Sequence, residues 1–151
     1  MNLGYYFFLT CLFIFSGLFF AYDLYIDKIK ELKSNRLLYQ SSVYLNASID
    51  NAGGLLEDGV NKAKIAYLLN PNNANALETY LDLLFRTDPV RSLVEWSLSP
   101  LIEKGVETKG ALLKKCLNTL QTNDLNSEER QLTASVALRM GNQLENSTKW
   151  N

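Results

Sequence analysis

The chain has 151 residues, with 15 Lys and Arg against 16 Asp and Glu, two Cys and no His. A near-neutral, interspersed charge offers no basic face to a phosphate backbone, so nucleic acid is not an expected partner. The absence of His removes the most frequent general base and the commonest metal ligand.

Residues Leu3 to Tyr22 form a run of twenty without a charge, and every charged residue lies at or after Asp23. Only Gly4, Thr10, Ser16 and Gly17 in this run are not plainly apolar or aromatic. As a helix it spans about 30 Å, the thickness of a bilayer's hydrocarbon core. Tyr5 and Tyr6 at one end and Tyr22 and Tyr25 at the other suit the two interfaces. A cleaved signal peptide is the competing reading. Against it stand the lack of Lys or Arg before the run, the run's length, and the lack of an A-x-A-like site after it. Residues 1–22 are therefore expected to be a transmembrane anchor. Lys28, Lys30, Lys33 and Arg36 all follow the run and none precedes it. The positive-inside tendency then predicts a single-pass protein with its body in the cytoplasm, a body outside or in a periplasm being the alternative.

After residue 22 the hydrophobic spacing is helical, with no useful strand-like alternation. Residues 23–36 read as a charged juxtamembrane helix or linker, with Leu24, Ile29 and Leu32 along one side. The body proper, 37–145, reads as six helices. The first carries Leu37, Leu38, Tyr44, Leu45, Ile49 and Ala52 and is expected to end at Gly53-Gly54. The second carries Leu56, Val60, Ala63 and Tyr67 and stops at Asn70-Pro71-Asn72-Asn73. The third holds Leu77, Tyr80, Leu81 and Leu84. Asp88-Pro89 starts the fourth, with a carboxylate at the N-cap and proline at N1, and Pro100 kinks it or ends it. Gly105 and Gly110 mark a loop before a fifth helix through Leu112, Leu113, Cys116, Leu117 and Leu120. Asn126 with Glu129 is a capping-box start for the sixth, which carries Leu132, Val136, Ala137 and Met140 and is expected to stop near Gly141. Residues 146–151 read as a tail, in which Trp150 could open a further repeat. The expected fold is all-α: a transmembrane helix followed by about three antiparallel helix pairs.

The piece from Ala63 to Ala74, AKIAYLLNPNNA, resembles the end of a tetratricopeptide repeat's second helix and its turn into the next repeat. With Pro71 at the repeat's terminal proline, Ala66 and Gly59 fall on small-residue positions, and the pair from about 37 to 70 has the repeat's length of about 34 residues. The resemblance implies a helical solenoid in which Gly59, Ala63, Ala66 and Pro71 serve repeat packing. The family's first-helix Trp and Gly-Tyr positions are not met. Leu81 stands where a small residue is usual, and Leu93 where the second helix takes Ala. A generic helical hairpin with an Asn-Pro turn is the other reading of the same residues.

No phosphate-binding, dinucleotide-binding or nucleophile-elbow motif occurs. Cys11 lies in the apolar run and Cys116 in the body, so no intramolecular disulfide is expected. Glu57-Asp58 and Glu128-Glu129 are sequence neighbours that point to different sides of a helix, and Glu103/Glu107 is the remaining close pair. Each reads as surface charge. Asn46-Ala47-Ser48 and Asn146-Ser147-Thr148 fit the glycosylation pattern, which is frequent by chance. No catalytic, cofactor or metal site is expected, and no enzymatic activity. Tyr80 and Trp96 are possible partner-contact aromatics, with core packing the plainer reading of both. The function that fits is a membrane-anchored interaction or scaffold module with a protein partner and residues 3–22 in the membrane. The alternative is a structural accessory subunit of a larger membrane complex.

Overall fold

The computed structural model describes residues 3–46, 54–104, 106–122 and 124–148. Among them there are helices and no strand: α1 Leu3–Asn46, α2 Leu55–Leu69, α3 Ala74–Thr87, α4 Pro89–Leu98, a 3₁₀ segment Pro100–Lys104, α5 Val106–Gln121 and α6 Ser127–Thr148.

The anchor segment, the charged stretch and the first body helix form one uninterrupted α1 of 44 residues, about 66 Å long. The sequence left residues 23–36 open, as a helix that could continue the anchor or as a linker, with the first body helix beginning at 37. The fusion has a local cause. Neither proline nor glycine occurs between Gly17 and Asn46. The exposed turns after the apolar run are also held by ion pairs one turn apart, Lys28 to Glu31 at 2.9 Å and Lys30 to Asp27 at 3.6 Å. Ile49, Ala52 and Gly53 lie outside the described residues. Gly54 precedes α2 with φ of 87°, a backbone state that glycine enters without strain.

The two halves of α1 differ in what surrounds them. From Tyr6 to Tyr25 every side chain except Cys11 is exposed. Phe13 and Phe15 are 76% and 75% exposed. The helix is long and apolar enough to cross a membrane, and none of its most apolar stretch is buried in the body. Its hydroxyls are satisfied within the helix: Thr10 donates to the Tyr6 carbonyl at 2.8 Å and Ser16 to the Phe13 carbonyl at 3.0 Å.

The second half of α1 packs antiparallel on α2. The buried Ser34 hydroxyl donates to the Ala66 carbonyl at 2.7 Å, and at the other end Tyr44 donates to Asp58 Oδ2 at 2.9 Å. Small residues let the axes approach: Ser34 and Ser41 on α1 and Gly59, Ala63 and Ala66 on α2 are all buried. A Cβ at Gly59 would lie 3.0 Å from Tyr44 Cγ and 3.1 Å from its Cβ. Those atoms are the root of the ring, not a movable tip. Elsewhere in a helix, replacing glycine with alanine stabilises by about 0.5–1 kcal/mol. Gly59→Ala is therefore expected to lower stability, while Gly110→Ala and Gly141→Ala, with open space around the new Cβ, raise it. Thermal melting of the three variants reads the sign directly.

The chain then folds back and forth. Arg86, at the end of α3, donates to the Leu45 carbonyl at 2.8 Å, so α3 runs beside α1 in the same direction. Within the α3–α4 hairpin, Ser92 donates to the Leu81 carbonyl at 2.7 Å and Tyr80 to Glu95 at 2.6 Å. The α5–α6 hairpin closes on α4. One core cluster joins all the hairpins, with Leu77, Leu81, Leu93, Leu101, Leu112 and Met140 among its members.

Most helix ends sit where the residues put them. Asp88 accepts from the Arg91 N–H at 3.0 Å with Pro89 in the first turn, and Asn126 and Glu129 complete a reciprocal capping box at 2.9 Å each way. Pro100 ends α4 and opens the 3₁₀ segment. Two glycine expectations fail. Gly110 lies inside α5 and Gly141 inside α6. A mid-helix glycine costs about 1 kcal/mol, less than the burial of Leu112, Cys116 and Met140 on the same helices returns. The expected tail is helical as far as Thr148, whereas Gly105 and Trp150 lie outside the described residues.

Candidate partner-binding surface

The hairpins give the body two ends. At the α1 entry end lies the Asn70–Asn73 turn, where Asn73 donates to Asn35 at 3.5 Å. At the far end lie the α3–α4 junction and the α5–α6 loop. Thr87, Asp88 and Pro89 there line one cavity together with Thr122, Asp124 and Leu125.

The junction Thr87-Asp88 is a ridge between two grooves. One groove, about 530 Å³, has Leu56, Val60 and Leu84 on its floor and Glu57, Lys64 and Arg91 on its rim. The other, about 620 Å³, runs from Phe85 and Val90 to Leu125 and Glu129. An apolar floor with charged edges suits a peptide or helix that presents apolar anchors and complementary charge.

Tyr80 and Trp96 are buried, at 4% and 8% exposure, so neither ring stands free on a concave face. The Tyr80 edge reaches the first groove while its hydroxyl is held by Glu95. Burial first, then the Glu95 hydrogen bond and charge, push that hydroxyl up to about 12. Trp96 is covered by Lys115, whose ammonium sits 4.2 Å from the ring centre, 4.9 Å from that of Phe85 and 2.8 Å from Asp82 Oδ1. This cluster clamps α5 to α3 and α4. Gly59 and Ala66 lie against α1 and Ala63 is buried in the core, whereas Pro71 is exposed in the turn.

Sequence reasoning missed the groove rim. Glu57, Asn61 and Lys64 recur at three- and four-residue spacing, which is a legible helical stripe but one that also describes any solvated face. Adjacent Glu57 and Asp58 do diverge: Glu57 faces the groove, and Asp58 turns to Tyr44 and Lys62. Burial pushes the Cys116 thiol up to about 11, so it is protonated at neutral pH. Among the described residues, no group of three or more His, Cys, Asp or Glu is arranged to hold a metal. Comparison of the chain with protein-family models, curated proteins and solved structures gives no match.

Proposed function

We propose that this protein is a membrane-tethered interaction module, which holds a protein partner at a fixed height above a bilayer. The observation that carries the reading is the continuity of α1. A half that is exposed and apolar runs without a break into a half built into the body's first hairpin. Such a helix transmits position and orientation, which a flexible linker would not. Tethering also raises the effective concentration of the binding surface near membrane partners.

The body is read as tetratricopeptide-repeat-like on two supports: three successive antiparallel hairpins, and small residues where α1 meets α2. Packing of α6 on α4 is a departure from a uniform stack. The partner surface is placed at the grooves beside Thr87-Asp88, the end away from the anchor. Lys28, Lys30, Lys33 and Arg36 favour a cytoplasmic body.

Co-purification from detergent-solubilised membranes tests the reading. Reversing the rim with Lys64→Glu and Arg91→Glu is expected to release the partner, and deleting residues 3–22 is expected to leave capture intact. If deletion abolishes capture and rim reversal does not, the apolar helix makes the essential contact. The protein is then a structural subunit of a membrane complex.

A further inference from the structure

At the α1 entry end, a recess of about 590 Å³ lies between α1 and the α2–α3 turn, lined by Asp27, Lys30 and Glu31 from the one and Leu68, Pro71 and Asn72 from the other. Its level follows from helix geometry. The apolar run ends at Tyr22, and Asp27 and Glu31 stand five and nine residues further along the same unbroken helix. At 1.5 Å per residue that is about 7.5 and 13.5 Å beyond the hydrocarbon edge. The headgroup layer on each side is about 5–8 Å thick. A tilt of about 20° moves a neighbouring helix, about 10 Å away, by only about 3 Å in height. Asp27 therefore stands at the outer edge of the headgroup layer and Glu31 above it, so the turn beside them borders the outer headgroups to within the shift that such a tilt produces.

The lining suits that environment. Leu68 is 64% exposed, and Pro71 and Asn72 are exposed beside it. Lys30 offers an ammonium to a phosphate, and Asp27 and Glu31 offer carboxylates to a choline or ethanolamine. Lys30 pairs with Asp27 at 3.6 Å and Glu31 with Lys28 at 2.9 Å, and all four side chains are well exposed, so exchange of such surface pairs for a lipid's two charges costs little. Adjacent opposite charges match a zwitterion better than a net anion.

We propose that this end of the body is seated on the headgroup layer of the bilayer that α1 enters, with the recess taking a zwitterionic phospholipid headgroup. The proposal rests on the anchor reading above. It makes the body a cap on the membrane surface, with the two grooves facing away from it.

Environment-sensitive labels on single cysteines test it, using the full chain in phosphatidylcholine vesicles. Cys11→Ala removes one native thiol, and Cys116 is buried. Labels are placed at Asn72→Cys in the turn, Asp124→Cys at the far end and Phe13→Cys in the apolar run. A headgroup nitroxide lipid is expected to quench the label at 72 several-fold more than that at 124, with no gain when anionic lipid is added. A chain-nitroxide lipid should quench the label at 13, and aqueous iodide should not. Seven residues inserted between Asp23 and Leu24 lift the body by about 10.5 Å at nearly the same rotation and should abolish headgroup quenching at 72. If 13 is lipid-protected and 72 is quenched no more than 124, the seating is wrong and the anchor stands. If iodide reaches 13, both fail. Quenching at 72 that requires anionic lipid overturns the zwitterionic assignment.

Discussion

Replacing Ala66 with Trp is expected to destabilise the body by about 3 kcal/mol, the upper part of the usual range for overpacking a tight contact. For a body of this size that is a fall in Tm of roughly 10 °C. Ala66 is fully buried, and its carbonyl accepts the Ser34 hydroxyl at 2.7 Å. Both residues are small because the α1 and α2 axes come close there. An indole has nowhere to go except into α1, and moving α1 breaks a buried hydrogen bond and leaves the Ser34 hydroxyl without its partner. The neighbour Ile65 is about half exposed, so Ile65→Trp is the matched control and is expected to change stability by less than about 0.5 kcal/mol. Melting of the detergent-solubilised chain, followed by circular dichroism, separates the two. Equal melting temperatures would remove the tight α1–α2 contact, and with it the small-residue alignment on which the repeat resemblance rests.

The features that were legible in the sequence are those decided by a few neighbouring residues. Asp88-Pro89 and Asn126 with Glu129 set the starts of α4 and α6, because their hydrogen bonds span three residues and need nothing else. The uncharged run from Leu3 was legible for the same reason. What the sequence hid depends on distant partners or on a balance of terms. Gly110 and Gly141 read as breaks, since glycine weakens a helix on its own, but packing further along each helix outweighs that cost. The sequence left the fusion of α1 open, because residues 23–36 fit a helix or a linker until the packing of the second half on α2 is known. Ser34 and Ser41, polar in any pattern count, turn out to be the buried face of its second half. Trp96 reads as core or contact from the sequence, since the Lys115 that lies over it is nineteen residues on and on another helix. The groove rim is non-local too: Lys64 on α2 and Arg91 on α4 meet only in three dimensions.

The largest effect is expected from charge in the first half of α1. Leu12 and Phe13 lie at the middle of the run from Leu3 to Tyr22, and both are exposed to whatever surrounds the helix. An aspartate at the centre of a membrane helix costs about 3 kcal/mol, and its short side chain cannot reach back to the interface as a lysine can. Leu12→Asp with Phe13→Asp therefore removes about 6 kcal/mol of insertion energy, about 10⁴-fold in partition. The wild-type chain should resist carbonate extraction from membranes, and the double variant should appear in the supernatant. Its body should melt unchanged, because every side chain from Tyr6 to Tyr25 except Cys11 is exposed, and the contacts with α2 begin further along. Tyr39→Asp, equally exposed but in the second half of α1, should stay with the membrane. Retention of the double variant would place membrane attachment somewhere other than α1. N-terminal sequencing of the membrane form checks the premise, since a mature start near residue 22 would mean that the apolar run is removed and no helix remains to hold the body at a fixed height.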